Sequence, residues 1–436
     1  MKYFFNALYI FVLILASPWI AWRVCIEKKN RRGWLQKLFG WVTVRTGNAE
    51  CIWIHAVSVG EVNLLKPLVD RLQLENPDIE VCISTTTETG FDLANKKFPD
   101  KLVFFCPSDF SWSIANTINR IRPSILVLTE LELWPNLITV VKQNSIPIAL
   151  INGRISDKSF NGYRRFRAVT KPMFAALDLA LMQTESYANR ILELGTPADR
   201  VQISGNIKFD CCDADGREHD KELARRAGIH DQQFVIVAGS TQENEDIMAI
   251  NVYQDLSQRF NQLKLILVPR HPQRCHRISK LLHDRGLAVF QRSIDRENEY
   301  EAEENAVVLV DVIGELNYWW SHANVAYVGG SMGDRGGQNM IEPAVYGLPI
   351  CFGPDTRNFK DVVDMMLAGD AAAVVADRDQ FREFILFVLG NPEAAHKMGE
   401  RASALTMTQK GAVDRTLRLI LPLLSATQQN TCKRAA

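Results

Sequence analysis

The sequence predicts an α/β protein with two doubly wound parallel-sheet domains and an apolar helix at its amino end. Three observations carry this. From residue 51 onward, short apolar runs rich in β-formers alternate with longer amphipathic stretches. Buried strands alternating with helices form parallel sheets covered on both faces. The alternation breaks once, at the polar segment CCDADGREHD (211–220), and then restarts. The segment Tyr3–Ile26 is mostly apolar and is followed directly by Lys28, Lys29, Arg31 and Arg32. A chain of 436 residues suits two or three domains of roughly 100–200 residues each.

Composition narrows the function classes. A hydrophobic fraction of 47% with 23% charged residues excludes a disordered or polytopic chain. Lys+Arg and Asp+Glu both number 50, which argues against a general nucleic-acid binder. The balance is uneven, since residues 1–40 hold seven basic residues and one acid, Glu27. Nine Cys at irregular spacing make no disulfide framework and fit a reducing compartment.

A spanning helix needs about 20 apolar residues. Tyr3–Ile26 just reaches that, interrupted by Asn6, Pro18 and Arg23, with Trp19 and Trp22 near its end. Charge after the apolar run, rather than before it, disfavours a cleaved signal. Residues 1–34 are therefore expected to be a retained anchor, spanning or lying in the interface. The basic flank would keep the rest of the chain on the cytoplasmic side.

Strands are expected at 51–56, 80–85, 102–106, 124–129, 146–152 and 179–183, with helices such as 61–75 and 111–122 between them. They make a first domain over 35–210. After the linker, strands are expected at 234–240, 263–269, 287–291, 306–311, 324–330, 348–353 and 371–376. They make a second domain over 221–425 that ends in helices, with a tail at 426–436. Doubly wound sheets bind ligands outside the carboxyl ends of their strands, and two facing halves would make a cleft.

Five constellations lie at such strand ends. In HAVSVGEV (55–62), Ser58 and Gly60 suit a tight turn into a helix. Glu61 there either caps the helix or acts as a general base. In LTELELWPN (128–136), Glu130 and Glu132 flank Leu131, as strand-end solvation or as functional acids. Trp134 reads as core. In GNIKFD (205–210), Lys208 either stabilises a leaving group or sits on the surface beside Asp210. VPRHPQR (268–274) offers Arg270, His271 and Arg274 at one strand end, and Arg suits bidentate phosphate contacts. His271, Cys275 and His276 lack a zinc spacing, so no metal is expected.

The fifth constellation is DVIGEL (311–316) with VGGSMGDRGGQNMIEPAVYG (328–347). Five Gly between 329 and 337 let backbone approach a ligand closely. A helix starting near Gln338–Asn339 would offer N–H groups to a phosphate, and Glu342 could take ribose hydroxyls. The spacing is not a P-loop. A basic stretch, Arg154–Lys171, is either solvated surface or a contact for anionic lipid.

The motifs SVGE (58–61), ELELWPN (130–136), GNIKFD (205–210), PRHPQR (269–274), VIGEL (312–316), VGGSMGDRGGQNMIEPA (328–344) and FGPDTRNFKD (352–361) resemble, in order, those of the 3-deoxy-D-manno-octulosonic acid (Kdo) transferases. The resemblance spans about residues 3–425. It implies a GT-B glycosyltransferase on the cytoplasmic face of the inner membrane. Such an enzyme moves Kdo from CMP-Kdo to the lipid A precursor (lipid IVA) with inversion, without metal or cofactor. By motif match Glu61 would be the base, and Glu130 and Lys208 would stabilise the transition state. CMP would lie against Pro269, Arg270, Ile313, Gly314, Glu315, Asn339, Met340, Ile341 and Glu342. The chain departs from the family pattern at Leu131, Ile313, Gln338 and Met340. A GT-B transferase or epimerase using a UDP-sugar, and a non-catalytic tethered relative, are the competing expectations. The sequence leaves oligomeric state and the number of Kdo units open.

Overall fold

A computed structural model describes residues 2–25, 32–212, 221–294 and 302–435. Lys28, Lys29, Arg31, the linker residues 213–220 and most of the acidic stretch 295–304 lie outside the described residues. In chain order the first elements are α1 (Lys2–Cys25), α2 (Trp34–Phe39), β1 (Cys51–His55), α3 (Val59–Glu75), β2 (Glu80–Thr85), α4 (Glu88–Lys97), β3 (Leu102–Phe105), α5 (Ser111–Ile121) and β4 (Ile125–Thr129). Then come α6 (Pro135–Gln143), β5 (Ile148–Gly153), α7 (Asp157–Arg165), α8 (Arg167–Ala175), β6 (Leu179–Met182), α9 (Glu185–Leu194) and β7 (Val201–Ile203).

After the linker follow α10 (Lys221–Arg226), β8 (Phe234–Thr241), α11 (Glu243–Ser257), β9 (Leu263–Pro269), α12 (Cys275–Asp284), β10 (Val289–Gln291) and β11 (Val307–Leu309). The remainder is α13 (Leu316–Trp320), β12 (Val325–Val328), α14 (Ile341–Ala344), β13 (Ile350–Phe352), α15 (Lys360–Ala368), β14 (Ala372–Val374), α16 (Arg378–Gly390), α17 (Pro392–Gln409) and α18 (Ala412–Ala435). Every expected strand is present. The added one, β7, is a half-exposed edge strand without the apolar run that marks the others.

The first unit comprises Met1–Cys211 and Lys410–Ala436. Its sheet runs β3-β2-β1-β4-β5-β6-β7, with every pair parallel. Alternate residues of each strand enter opposite cores, because side chains in a strand alternate faces. Trp53, Cys82, Phe104 and Leu128 pack on one side, and Ile52, Ile54, Ile83 and Val127 on the other. The second unit, Cys212–Gln409, has its own parallel sheet ordered β10-β11-β9-β8-β12-β13-β14.

Two features differ from the sequence expectation. The second domain does not run to 425, because the chain rejoins the first unit at Lys410. Leu417, Ile420 and Leu424 of α18 enter the first unit's core, each contributing roughly 1.5–3 kcal/mol by burial. The Asp210 carboxylate accepts the Gly411 and Val413 N–H groups at 2.7 and 2.6 Å, satisfying donors at the start of α18. The helix continues through the residues expected as a tail.

The other difference concerns α1. Asn6, which interrupts the apolar run, is only 7% exposed. It donates to Ser111 Oγ at 2.8 Å, and its carbonyl accepts from Ser111 N and Asn136 Nδ2. Tyr9 donates to Asp109 Oδ2 at 2.7 Å. These polar contacts fasten α1 to α5 and α6, while Phe4, Phe11, Ile14 and Leu15 stay exposed. Among the described residues no helix is long and apolar enough to cross a membrane.

Candidate active site

In the first unit the site is built where β1 and β4 end. β1 hands over to α3 through Ala56–Ser58, with Ser58 extended at the N-cap. Glu61 folds back over this turn. Its Oε2 accepts the Val57 N–H at 2.8 Å and its Oε1 accepts the Ser58 hydroxyl at 3.0 Å. These bonds tie Glu61 to the turn that precedes α3, and the carboxylate is also electrostatically unusual. Burial pushes its pKa up to about 7, and the negative charges of Glu130 and Glu132 push the same way. The Val57 N–H and the Ser58 hydroxyl oppose this. A carboxyl titrating near neutrality is tuned for proton transfer.

Glu130 sits at the end of β4 with φ 60, a left-handed conformation that a side chain disfavours. Such strain costs of order 1–3 kcal/mol and clusters at functional sites. It is held there by its N–H to Ile151 O at 3.0 Å, while its carbonyl accepts from Glu132 N. Glu132 takes a hydrogen bond from the Trp134 indole at 3.0 Å, and burial raises its pKa. Trp134 is not core, contrary to expectation: it is 48% exposed. Leu131 packs against the first core.

Lys208 is half-buried in a short 3-10 turn, Ile207–Cys211, that packs against α3. Two amide side chains set this turn. Asn206 Oδ1 accepts the Lys208 N–H at 3.0 Å, and Asn152 Oδ1 accepts the Ile207 N–H at 3.1 Å. Asn152 is itself left-handed (φ 52) at the end of β5, fully buried, and unforeseen from sequence.

In the second unit Pro269 closes β9, and the Arg270 N–H donates to Thr241 O at 3.0 Å. The Arg270 side chain is exposed, as are His271 and His276. Arg274 is not free to join them, because its guanidinium is paired with the buried Asp246. Beyond β11, Ile313 is 87% exposed and Gly314 takes φ 97. Glu315 is ion-paired with Arg292 at 2.9 Å.

The glycine segment after β12 is organised by a residue the motif reading missed. Glu245 is 1% exposed. Its carboxylate accepts the N–H groups of Gly330, Ser331 and Met332 at 2.7, 2.9 and 3.0 Å, and the Tyr327 hydroxyl at 2.9 Å. It also closes a capping box with Gln242 at the start of α11. The spacing Gln242-x-x-Glu245 after a strand was the available signal. Gly330, Gly336 and Gly337 have φ of 68, 80 and 79, values that need glycine.

The helix expected from Gln338–Asn339 starts instead at Ile341 and lasts one turn. The reason is local: Asn339 Oδ1 accepts the Ile341 N–H at 3.2 Å, making a side-chain turn where a helix would begin. Asn339 Nδ2 donates to Glu342 Oε1 at 3.1 Å, and burial raises the Glu342 pKa. Met340 and Ile341 are fully buried, backbone as well as side chain. Among the described residues no group of three or more His, Cys, Asp or Glu is arranged to hold a metal ion.

The family model for 3-deoxy-D-manno-octulosonic-acid transferase matches residues 29–211. A 3-deoxy-D-manno-octulosonic acid transferase of Haemophilus influenzae is 31% identical over 385 residues, covering 87% of this chain and 89% of that protein. One from Bordetella pertussis is 32% identical over 375 residues, covering 84% and 86%. The chain belongs to the Kdo transferase family. It is a glycosyltransferase of that family, and its two Rossmann-like units have the GT-B fold. UDP-GlcNAc 2-epimerase from Neisseria meningitidis shares the fold at TM-score 0.57 and 15% identity, over 85% of this chain and all of that one. MurG from Acinetobacter baumannii does so at TM-score 0.54 and 12% identity, over 86% and 99%.

Proposed function

We propose that this Kdo transferase moves Kdo from CMP-Kdo to the lipid A precursor, with inversion, using Glu61 as general base. The observation that carries this is the Glu61 carboxyl, held by Val57 N–H and Ser58 Oγ and raised by burial to about 7. The ionised carboxylate removes the proton of an acceptor hydroxyl. The hydroxyl oxygen then bonds to the anomeric carbon of Kdo from the face opposite the leaving group. The bond from that carbon to the phosphate oxygen breaks, and CMP departs with the electron pair.

CMP is already a good leaving group, so positioning and charge stabilisation remain for the protein to supply. In this scheme Lys208 and Glu130 stabilise the transition state, and no metal is needed. In the same scheme CMP lies against Pro269, Arg270, exposed Ile313, Gly314 and Glu315, and against the turn Asn339–Glu342. The exposed apolar side chains of α1 support attachment to the inner membrane's cytoplasmic face, where the acceptor resides.

The test is transfer from freshly made CMP-Kdo to tetraacylated precursor, with chelator, read by mass spectrometry. A mass gain of one or more Kdo units, lost in Glu61→Gln, is expected. Transfer by Glu61→Gln at the wild-type rate would remove Glu61 from the chemistry. Preferential binding of UDP over CMP would redirect the donor assignment.

A further inference from the structure

Arg270 and Arg274 follow β9 in one short segment, and the structure gives them different environments. The Arg270 side chain is exposed, and its charge acts on the Glu342 carboxyl. The Arg274 side chain is only 22% exposed and folds back over its own loop. Its Nη1 donates to Thr241 O at 3.2 Å, and its Nη2 pairs with the Asp246 carboxylate. Thr241 O also accepts the Arg270 N–H at 3.0 Å. Both ends of the segment Arg270–Arg274 are therefore fastened to one carbonyl oxygen.

That oxygen is itself held. Thr241 is fully buried, and its hydroxyl donates to Asp246 Oδ1. Asp246 is 1% exposed and lies in the first turn of α11. Within the segment, Pro272–Arg274 form a 3-10 turn, and the Arg274 N–H donates to His271 O at 3.0 Å. The fastening falls where β8 is irregular: Ser240 has φ 55, and the β8–β9 register shifts between Gly239 and Thr241.

We propose that Arg274, together with Asp246, is a positioning residue that closes the Arg270–Arg274 loop on Thr241, so that Arg270 is preorganised for the donor phosphate. This rests on the contact between Arg270 and CMP assigned above. A segment tied at both ends has lost its freedom before the ligand arrives, so less entropy is lost on binding. Arg274 is not a second phosphate ligand in this arrangement. Its guanidinium is committed to Asp246 and Thr241 O, and withdrawing it would leave a buried carboxylate without its cation.

The experiment is titration calorimetry of the full chain with CMP and with cytidine. Arg274→Gln is expected to weaken CMP about tenfold and to leave cytidine within about twofold, because only the phosphate contact is lost. In an Arg270→Ala background the same change should add less than about twofold, since two residues acting as one unit are not additive. Arg274→Lys keeps a charge for Asp246 but not the two-pronged geometry, and should fall between wild type and Arg274→Gln. Asp246→Asn with Arg274→Gln leaves no unpaired buried charge and should show the same selective loss of CMP. Amide hydrogen exchange of the nucleotide-free protein reads the fastening directly: the Arg270 N–H should exchange faster in Arg274→Gln. Equal losses for CMP and cytidine would make the role merely structural and overturn the proposal. Additive losses would make Arg274 a phosphate ligand and overturn it as well, and so would unchanged exchange at Arg270. If Arg270→Ala binds CMP as wild type does, the phosphate assignment fails, while the exchange readout still decides whether Arg274 holds the loop.

Discussion

The Glu61 carboxyl makes a prediction that separates chemistry from stability. Its pKa is about 7 in the folded chain against an ordinary value of 4.5. Below the ordinary value both folded and unfolded states hold the proton. Between about 4.5 and 7 the folded state keeps a proton that the unfolded state has released, so stability falls as pH rises through this window. Above 7 the full cost of the buried charge is present. The shift of about 2.5 units corresponds to about 3 kcal/mol at 1.36 kcal/mol per unit. Glu61 is only partly buried, so solvent screening reduces this to about 1–2 kcal/mol. Glu61→Gln keeps an acceptor for the Val57 N–H and presents an amide to Ser58 Oγ. It should therefore match wild type in urea midpoint near pH 5 and exceed it near pH 8. In parallel, wild-type kcat/KM should rise with pH through about 7, as a base must be ionised. Glu61→Gln should lose about 10²–10⁴ in rate. Identical pH dependence of unfolding in the two proteins would refute the argument, because the carboxyl would then carry no buried charge.

Three further outcomes are expected. Glu245→Ala strips the acceptor from three loop N–H groups and should cost about 3–5 kcal/mol of stability in the second unit; thermal unfolding and CMP calorimetry would show both this and a loss of nucleotide affinity. Arg270→Ala should weaken CMP binding roughly ten- to a hundredfold, the worth of a charge-assisted phosphate contact, and titration calorimetry reads it directly. Asn6→Leu leaves Ser111 and Asn136 short of partners and should loosen α1, seen as faster hydrogen exchange in that helix without loss of CMP binding.

How much of this was legible follows from what each feature depends on. The strands were legible because each is a short, doubly buried run, and Ile52–Ile54 or Leu265–Leu267 cannot be mistaken for surface. The glycine segment was legible because left-handed backbone at Gly330, Gly336 and Gly337 demands the residue type itself. Three things were not legible, each for a physical reason. Leu417, Ile420 and Leu424 give α18 an apolar stripe, but a stripe does not say which sheet receives it. Asn339 as a turn-former, rather than a helical residue, depends on where its side-chain oxygen finds a donor. Glu245 precedes the loop it organises by more than eighty positions, and only the adjacency of β8 and β12 brings them together.

That adjacency points to a common device in the two units. In each, strained or glycine backbone sits just beyond a carboxyl strand end, held by hydrogen bonds from elsewhere in the same unit. Glu130 follows β4 at φ 60, Asn152 lies at the end of β5 at φ 52, and Ser240 lies near the end of β8 at φ 55. None of the three is glycine, so each carries of order 1–3 kcal/mol that the sheet must overcome. Ile151 O fixes Glu130, Gln183 binds the carbonyl of Asn152, and in the second unit Glu245 gathers the backbone after β12. A strand that merely turned into a helix would need none of these. The cost is understandable if, within each unit, these segments must hold fixed conformations for that unit's own ligand contacts. Glu130 and the loop after β12 lie within the motifs that mark the chain as a Kdo transferase, whereas Asn152 and Ser240 lie outside them.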